Sequence, residues 1–254
     1  MKRRITIGLG ARRERLLVAT AFLGAAVLVV GACGSGDRPS TGAAGTTARN
    51  PSAKWAATVD NRWFPLPRGA TWVYRGEKDA ERARDVVHVT DAIKVIQGVR
   101  CTVVSDRLWE SGHLAERTLD YYAQDIEGTV WYFGEDTAEL DATGRVTSRE
   151  GTWQAGRDGA KAGIFMPADP RLGESFRQEY LKGHAEDHFQ IVSLNVSVKT
   201  PAVSSPEAML TKEWTPLEPA VLDHKLYVRG IGDVSEETVK GGNERNVLVG
   251  FRRT

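Results

Sequence analysis

The sequence predicts an all-β fold, with antiparallel strands from two similar meanders forming a curved sheet, a sandwich or a barrel. Three observations carry this. Downstream of Trp55, apolar residues recur at every second position far more often than at the three- and four-residue spacing of a helix. Glycines and acidic residues punctuate these runs at short intervals, as hairpins require. No long amphipathic helix is present, and 79–84 is the one short helical candidate.

In chain order, the strand candidates begin with Trp72-Val73-Tyr74, opened by the turn Pro67-Arg68-Gly69. Runs at 86–90 and 101–109 follow, rich in the β-branched and aromatic residues that fit a pleated, half-buried surface. Cys101 lies in such a run and reads as a small buried hydrophobe. Asp120-Tyr121-Tyr122-Ala123 and the run 129–133 flank the turn Ile126-Glu127-Gly128, and Ala142-Thr143-Gly144 and Gly241-Gly242-Asn243 supply further turns needing positive φ. The second half contributes 189–198, 210–214, 226–229 and 247–251.

The order of signals repeats about one hundred residues apart. Pro67-Arg68-Gly69 ahead of Trp72-Val73-Tyr74 is echoed by Pro170-Arg171-Leu172-Gly173 ahead of Phe176 and Tyr180. Likewise 87–90 is echoed by 189–192, 103–109 by 209–214, and 120–123 by 225–228. The sequence therefore predicts a single β domain over 55–254, built as a degenerate tandem repeat of about 60–160 and 165–254. A sheet of so many strands must curl to protect its edges and bury one face, so it encloses a concave surface.

Ahead of this domain, residues 1–32 have the layout of a secretory signal: six Lys or Arg within the first fifteen positions, then an apolar run from 16 to 30 that ends in small residues. That run is shorter than the roughly 20 residues that span a bilayer. Val30-Gly31-Ala32-Cys33 resembles a lipobox, which implies cleavage before Cys33 and a diacylglyceryl thioether on its sulfur, with acyl chains of the palmitate type. One chain holds only marginally at about 0.8 kcal/mol per methylene, whereas two or three anchor stably. Residues 34–54, rich in Gly, Ser, Thr, Ala and Pro, read as a disordered tether. Arg12-Arg13 invites a twin-arginine reading, but Glu14-Arg15 stands where that signal prefers apolar residues, so general secretion is favoured.

The whole chain carries a formal charge of +1, but without residues 1–33 it has 28 basic against 32 acidic residues, a charge of −4. A mildly acidic domain without basic clusters excludes nucleic acid as a partner. With Cys33 lipidated, Cys101 has no cysteine left to pair with.

The chain resembles a group of uncharacterised secreted bacterial proteins and lipoproteins. The resemblance rests on Trp72-Val73-Tyr74 after its Pro and Gly turn, on the string from Tyr122 through Trp131-Tyr132-Phe133-Gly134-Glu135, and on Lys212-Glu213-Trp214-Thr215-Pro216-Leu217-Glu218-Pro219. Its repeated strand-tyrosine-glycine pattern is also similar to tandem-repeat β proteins of the bacterial envelope. The resemblance implies a fold and an extracytoplasmic location, and no mechanism.

Chemistry-bearing constellations are sparse. His184, Glu186 and His188 sit two apart, so on a strand they share a face, and two imidazoles with a carboxylate can hold zinc. The opposing reading is a solvated polar face, because that spacing alone does not converge ligands on one point about 2.1 Å away. No nucleophile elbow or phosphate-cradling glycine loop occurs, and the neighbouring carboxylates Glu135-Asp136 and Glu139 with Asp141 read as solvated loop charges. No cofactor is expected, and no catalytic residue. Trp72, Tyr74, Tyr122, Trp131, Phe133, Trp214 and Tyr227 fall on the matching strands of both halves; they read either as core or as the lining of a ligand cavity.

The expected protein is thus a non-enzymatic lipoprotein, held to the cell membrane or outer membrane, that binds an apolar or amphipathic envelope ligand such as a lipid. The rival is a structural module whose partner is an envelope protein or wall polymer; a metal-dependent hydrolase stands third. A ligand carrier needs a cavity of about 300 to 1,000 Å³, and an interaction module needs none.

Overall fold

The computed structural model describes residues 55–78 and 81–253; the signal segment, Cys33 and the tether lie outside them. Among the described residues, fifteen strands form one antiparallel sheet. β1 (Thr71–Lys78), β2 (Glu81–Ile96), β3 (Val99–Glu110), β4 (His113–Gln124) and β5 (Val130–Leu140) make a first meander, each paired with the next. The short β6 (Val146–Ser148) and β7 (Trp153–Gln154) pair with β5, and β8 (Lys161–Met166) extends the sheet past it. After β9 (Ser175–Arg177) and β10 (Glu179–Tyr180), the second meander runs through β11 (His188–Lys199), β12 (Ser204–Trp214), β13 (Leu222–Val228), β14 (Gly232–Lys240) and β15 (Arg245–Arg252). β15 pairs back on β1 and joins the two meanders.

Of the three predicted shapes, the sheet takes the barrel, nearly closed. The seam is the chain segment 175–180: β9 pairs with β11 on one side and β10 with β8 on the other, with Gln178 between them. Gly163 of β8 makes this approach possible, since a Cβ there would lie 2.1 Å from the Gln178 carbonyl oxygen. The candidate helix at 79–84 is corrected over its described part, because 81–84 open β2 and follow the strand's alternating burial, Ala83 inward and Arg82 and Arg84 outward.

Residues 55–70 cross one end of the barrel and seal it. Asn61 fixes the crossing: its side-chain amide donates to the carbonyls of Gly128 at 2.8 Å and Pro167 at 3.0 Å, and its oxygen accepts the Trp63 amide. Phe64 then packs on Tyr122 and Phe165, with ring centroids 5.3 and 4.5 Å apart. Such aromatic pairs add about 0.5–1.5 kcal/mol each beyond the burial of their area.

The two meanders repeat one another in detail. The Gly69 amide bonds Val89 O and the Val89 amide bonds Ala70 O; Gly173 with Ile191, and Ile191 with Glu174, do the same. Trp72 faces Val87 as Phe176 faces Phe189. The register slips by one residue just before Tyr122 on β4–β5 and just before Tyr227 on β13–β14.

Candidate functional site

Inward-facing side chains form two layers. Near the sealed end the layer is apolar and aromatic: Tyr122 stacks on Tyr132 at 4.7 Å, and Phe165 and Trp153 pack edge-on to Tyr132. Next to it runs a polar girdle that crosses most strands: Asp85 on β2, Asp106 on β3, Asp120 on β4, Glu135 on β5, Glu179 on β10, Glu213 on β12, Lys225 on β13 and Glu236 on β14. Asp85, Asp106, Asp120, Glu135, Glu179, Glu213 and Lys225 are all buried. Buried charge is unfavourable by several kcal/mol per ion unless paired and hydrogen-bonded.

In the second meander Lys225, 2 % exposed at its side chain, reaches Glu213 at 2.9 Å and Glu236 at 3.6 Å. Burial disfavours its charge, but the two carboxylates outweigh this and hold its pKa well above lysine's ordinary value. The Tyr227 hydroxyl donates to Glu213 Oε1 at 3.4 Å. In the first meander the Tyr132 hydroxyl donates to Asp120 Oδ1 at 2.7 Å, with Glu135 Oε2 3.3 Å away. Burial, reinforced by Asp120 and Glu135, pushes the Tyr122 and Tyr132 phenols well above their usual range. Burial likewise raises Asp85 and Asp233 to about 7.

The seven aromatic candidates are not brought together. Trp72, Tyr74, Tyr122 and Tyr227 turn inward; the Trp72 ring N–H donates to Ile231 O and the Tyr74 hydroxyl to Asp233 O. Trp131 and Phe133 point to the other face of β5, where both rings meet Trp55 edge-on. Trp214 is on the outside of β12, stacked on His188 at 5.6 Å. Strand parity makes this division, because neighbouring positions on matching strands leave opposite faces.

The histidine segment does not form one strand face either. His184 lies in a turn closed by the Leu181–Ala185 bridge, and the strand starts only at His188. Glu186 accepts from Arg177 at 3.0 Å and from the Gly183 amide. Among the described residues no three His, Cys, Asp or Glu side chains converge as metal ligands. Cys101 is fully buried and its thiol is pushed up to about 12 by burial. The reading of Glu135 as a solvated loop charge is corrected: it sits on β5 at 4 % exposure. The girdle had a signal in the sequence, since Asp85 keeps the parity of Val87 and Val89, and Lys225 that of Tyr227.

Solved structures similar to this chain include a protein described as exported, with a YmcC-like fold, from Bacteroides fragilis, 16% identical over 76% of this chain and 100% of that one, with a TM-score of 0.45. Another is described as a lipoprotein, from Parabacteroides distasonis, 11% identical over 76% of this chain and 99% of that one, with a TM-score of 0.43. No protein-family model and no curated protein matches the chain.

Proposed function

We propose that this chain is a lipid-anchored extracytoplasmic binding module, without chemistry of its own, that takes an amphipathic envelope molecule into its barrel. The observation that carries the reading is the two-layer interior, an aromatic floor at the sealed end beside a girdle of carboxylates and phenols. A molecule with one apolar and one polar end matches such a lining, and a fully self-packed core would have had little reason to bury so many ionisable groups. The expected anchor suits this role, because lipid on Cys33 would keep the domain beside the membrane surface.

Native mass spectrometry with lipid extraction, on the full lipidated protein taken from its own envelope, tests the reading. A co-purifying amphiphile is the expected result. A clean unliganded mass sinks it and favours an interaction module, for which a cleft of about 680 Å³ lined by Arg75, Glu77, Glu237, Asn243 and Arg245 offers a charged contact surface. Cys33→Ala is expected to shift the protein from the membrane fraction to the soluble one, and unchanged fractionation would remove the anchor from the proposal.

A further inference from the structure

The sealed end of the barrel carries groups that packing of the interior does not explain. Among the described residues, the two most exposed large hydrophobic side chains are Leu172 at 69 % and Ile126 at 65 %. A single exposed apolar residue is ordinary on a protein surface, so their placement is what matters. Ile126 stands at the tip of the β4–β5 turn and Leu172 in the turn ahead of β9, both at this end. The Asn61 side chain ties the flanks of these turns together through the Gly128 and Pro167 carbonyls.

Arginines surround the same end. Arg62 and Arg68 lie on the sealing segment, Arg171 beside Leu172, Arg229 in the β13–β14 turn, and Arg252 and Arg253 at the end of β15; all six are exposed. They come from four stretches of the chain, so no cluster shows in the sequence. The fold gathers them: the Arg62 carbonyl accepts the Gly230 amide, Arg253 donates to the Gly230 carbonyl, and Arg68 and Arg171 occupy equivalent turns of the two meanders. Arg229 lies over the Trp63 ring at 4.8 Å and Arg253 over Phe251 at 5.5 Å. The carboxylates nearby are Asp60, which accepts from Gln124; Asp125, buried in its own turn; Glu127; Asp169, 3.7 Å from Arg171; and Glu174, which accepts the Arg171 amide. Exposed arginines therefore outnumber exposed carboxylates here, in a domain that from Trp55 onward has 25 basic against 31 acidic residues. The chain also enters the domain at this end, where Trp55 bridges Asp125 and the Ala56 amide bonds Gln124 O.

We propose that the sealed end is a docking surface for a bilayer containing anionic phospholipids. The arginines hold headgroup phosphates, for which the guanidinium fork is suited, and Ile126 and Leu172 enter the interface between headgroups and acyl chains. Lipid on Cys33 delivers this end, because the sequence that follows Cys33 joins the barrel beside Ile126. The docking surface goes beyond the ligand reading and shares only its anchor.

The test places a polarity-sensitive nitrobenzoxadiazole label on the full lipidated protein through Ile126→Cys, Leu172→Cys or Val239→Cys. Cys101 is buried and does not compete, and Val239, 45 % exposed at the opposite end of the barrel, is the control. The protein is reconstituted in phosphatidylcholine vesicles with about 30 % phosphatidylglycerol and a nitroxide on the acyl chains. Labels at 126 and 172 are expected to be quenched several-fold more than the label at 239. Arg62→Gln combined with Arg171→Gln, two exposed side chains whose loss leaves the core intact, is expected to lower the docked-to-undocked ratio on the order of ten-fold, and pure phosphatidylcholine should do the same. Equal quenching at all three positions, on vesicles that still carry the protein, overturns the docking surface and leaves the anchor standing. Undiminished docking on phosphatidylcholine overturns anionic lipid as the partner. Protein that does not float with the vesicles at all overturns both the anchor and the surface.

Discussion

The two meanders of this barrel share turns, register and even the position of a one-residue slip, yet they satisfy their buried carboxylates in different ways. The first sets the phenol of Tyr132 against Asp120 and Glu135; the second sets the ammonium of Lys225 between Glu213 and Glu236. The slots below follow the same rule, with Thr118 bonded to Thr137 at 3.1 Å in one and Thr238 donating to Asp223 at 2.6 Å in the other. Backbone pairing fixes where an interior polar group stands. Which group fills the slot is open, provided each buried charge meets a donor or a counter-charge.

The sharpest way to break the comparison is to remove the cation. Lys225→Met leaves Glu213 and Glu236 buried without their counter-ion, and is expected to cost about 3–5 kcal/mol in urea unfolding at pH 8. Acid should relieve the loss, since the Glu236 carboxyl, which burial already pushes well above its usual range, can then protonate. An equal loss at pH 5 would mean the lysine acts through packing.

The next largest effect is on pH dependence, with one group from each meander. Asp85 and Asp233 are raised to about 7 in the folded state by burial, against a usual carboxylate value of about 4. Protonated in both states below pH 4, they contribute no penalty there. As pH rises the unfolded chain ionises first, so stability should fall by on the order of a few kcal/mol between about pH 4 and pH 7, then level off. Asp85→Asn and Asp233→Asn should each flatten that slope; a slope unchanged in both variants would contradict the assignment.

The smallest effect separates the two phenols. Tyr132→Phe removes a 2.7 Å bond to a buried carboxylate and is expected to cost about 1.5–3 kcal/mol. Tyr227→Phe removes a bond of 3.4 Å and should cost about 0.5–1.5 kcal/mol. Equal losses would show that Tyr227 shares the work of Lys225 more than its distance suggests.

Much of the architecture was legible in the chain. The runs at 86–90, 101–109, 189–198 and 247–251 all fall on strands, because period-two alternation is a local property. Gly128, Gly144 and Gly241 carry positive φ at the turns their residue types demand. Closure was not legible: it depends on a kinked segment at 175–180 pairing on both sides, and neither β9 nor β10 is long enough to leave a pattern. Nor was the seal at 55–70, where Asn61 and Phe64 act through contacts with residues more than fifty positions away.

The sequence alone determined the strand class, the turns, the order in which two similar meanders follow one another, and the motif at Cys33 that predicts export and an anchor. Only the tertiary structure decided which face of each strand is inside. That choice turned Glu135 from a solvated charge into an interior one, put Trp131, Phe133 and Trp214 on the outer face of their strands, where Trp55 covers the buried Phe133, and gathered carboxylates from distant strands round Lys225 and Tyr132. The physical reason is that alternation fixes only that neighbouring side chains oppose each other; the sign is set by closure, when one face loses water and every charge on it must find a partner.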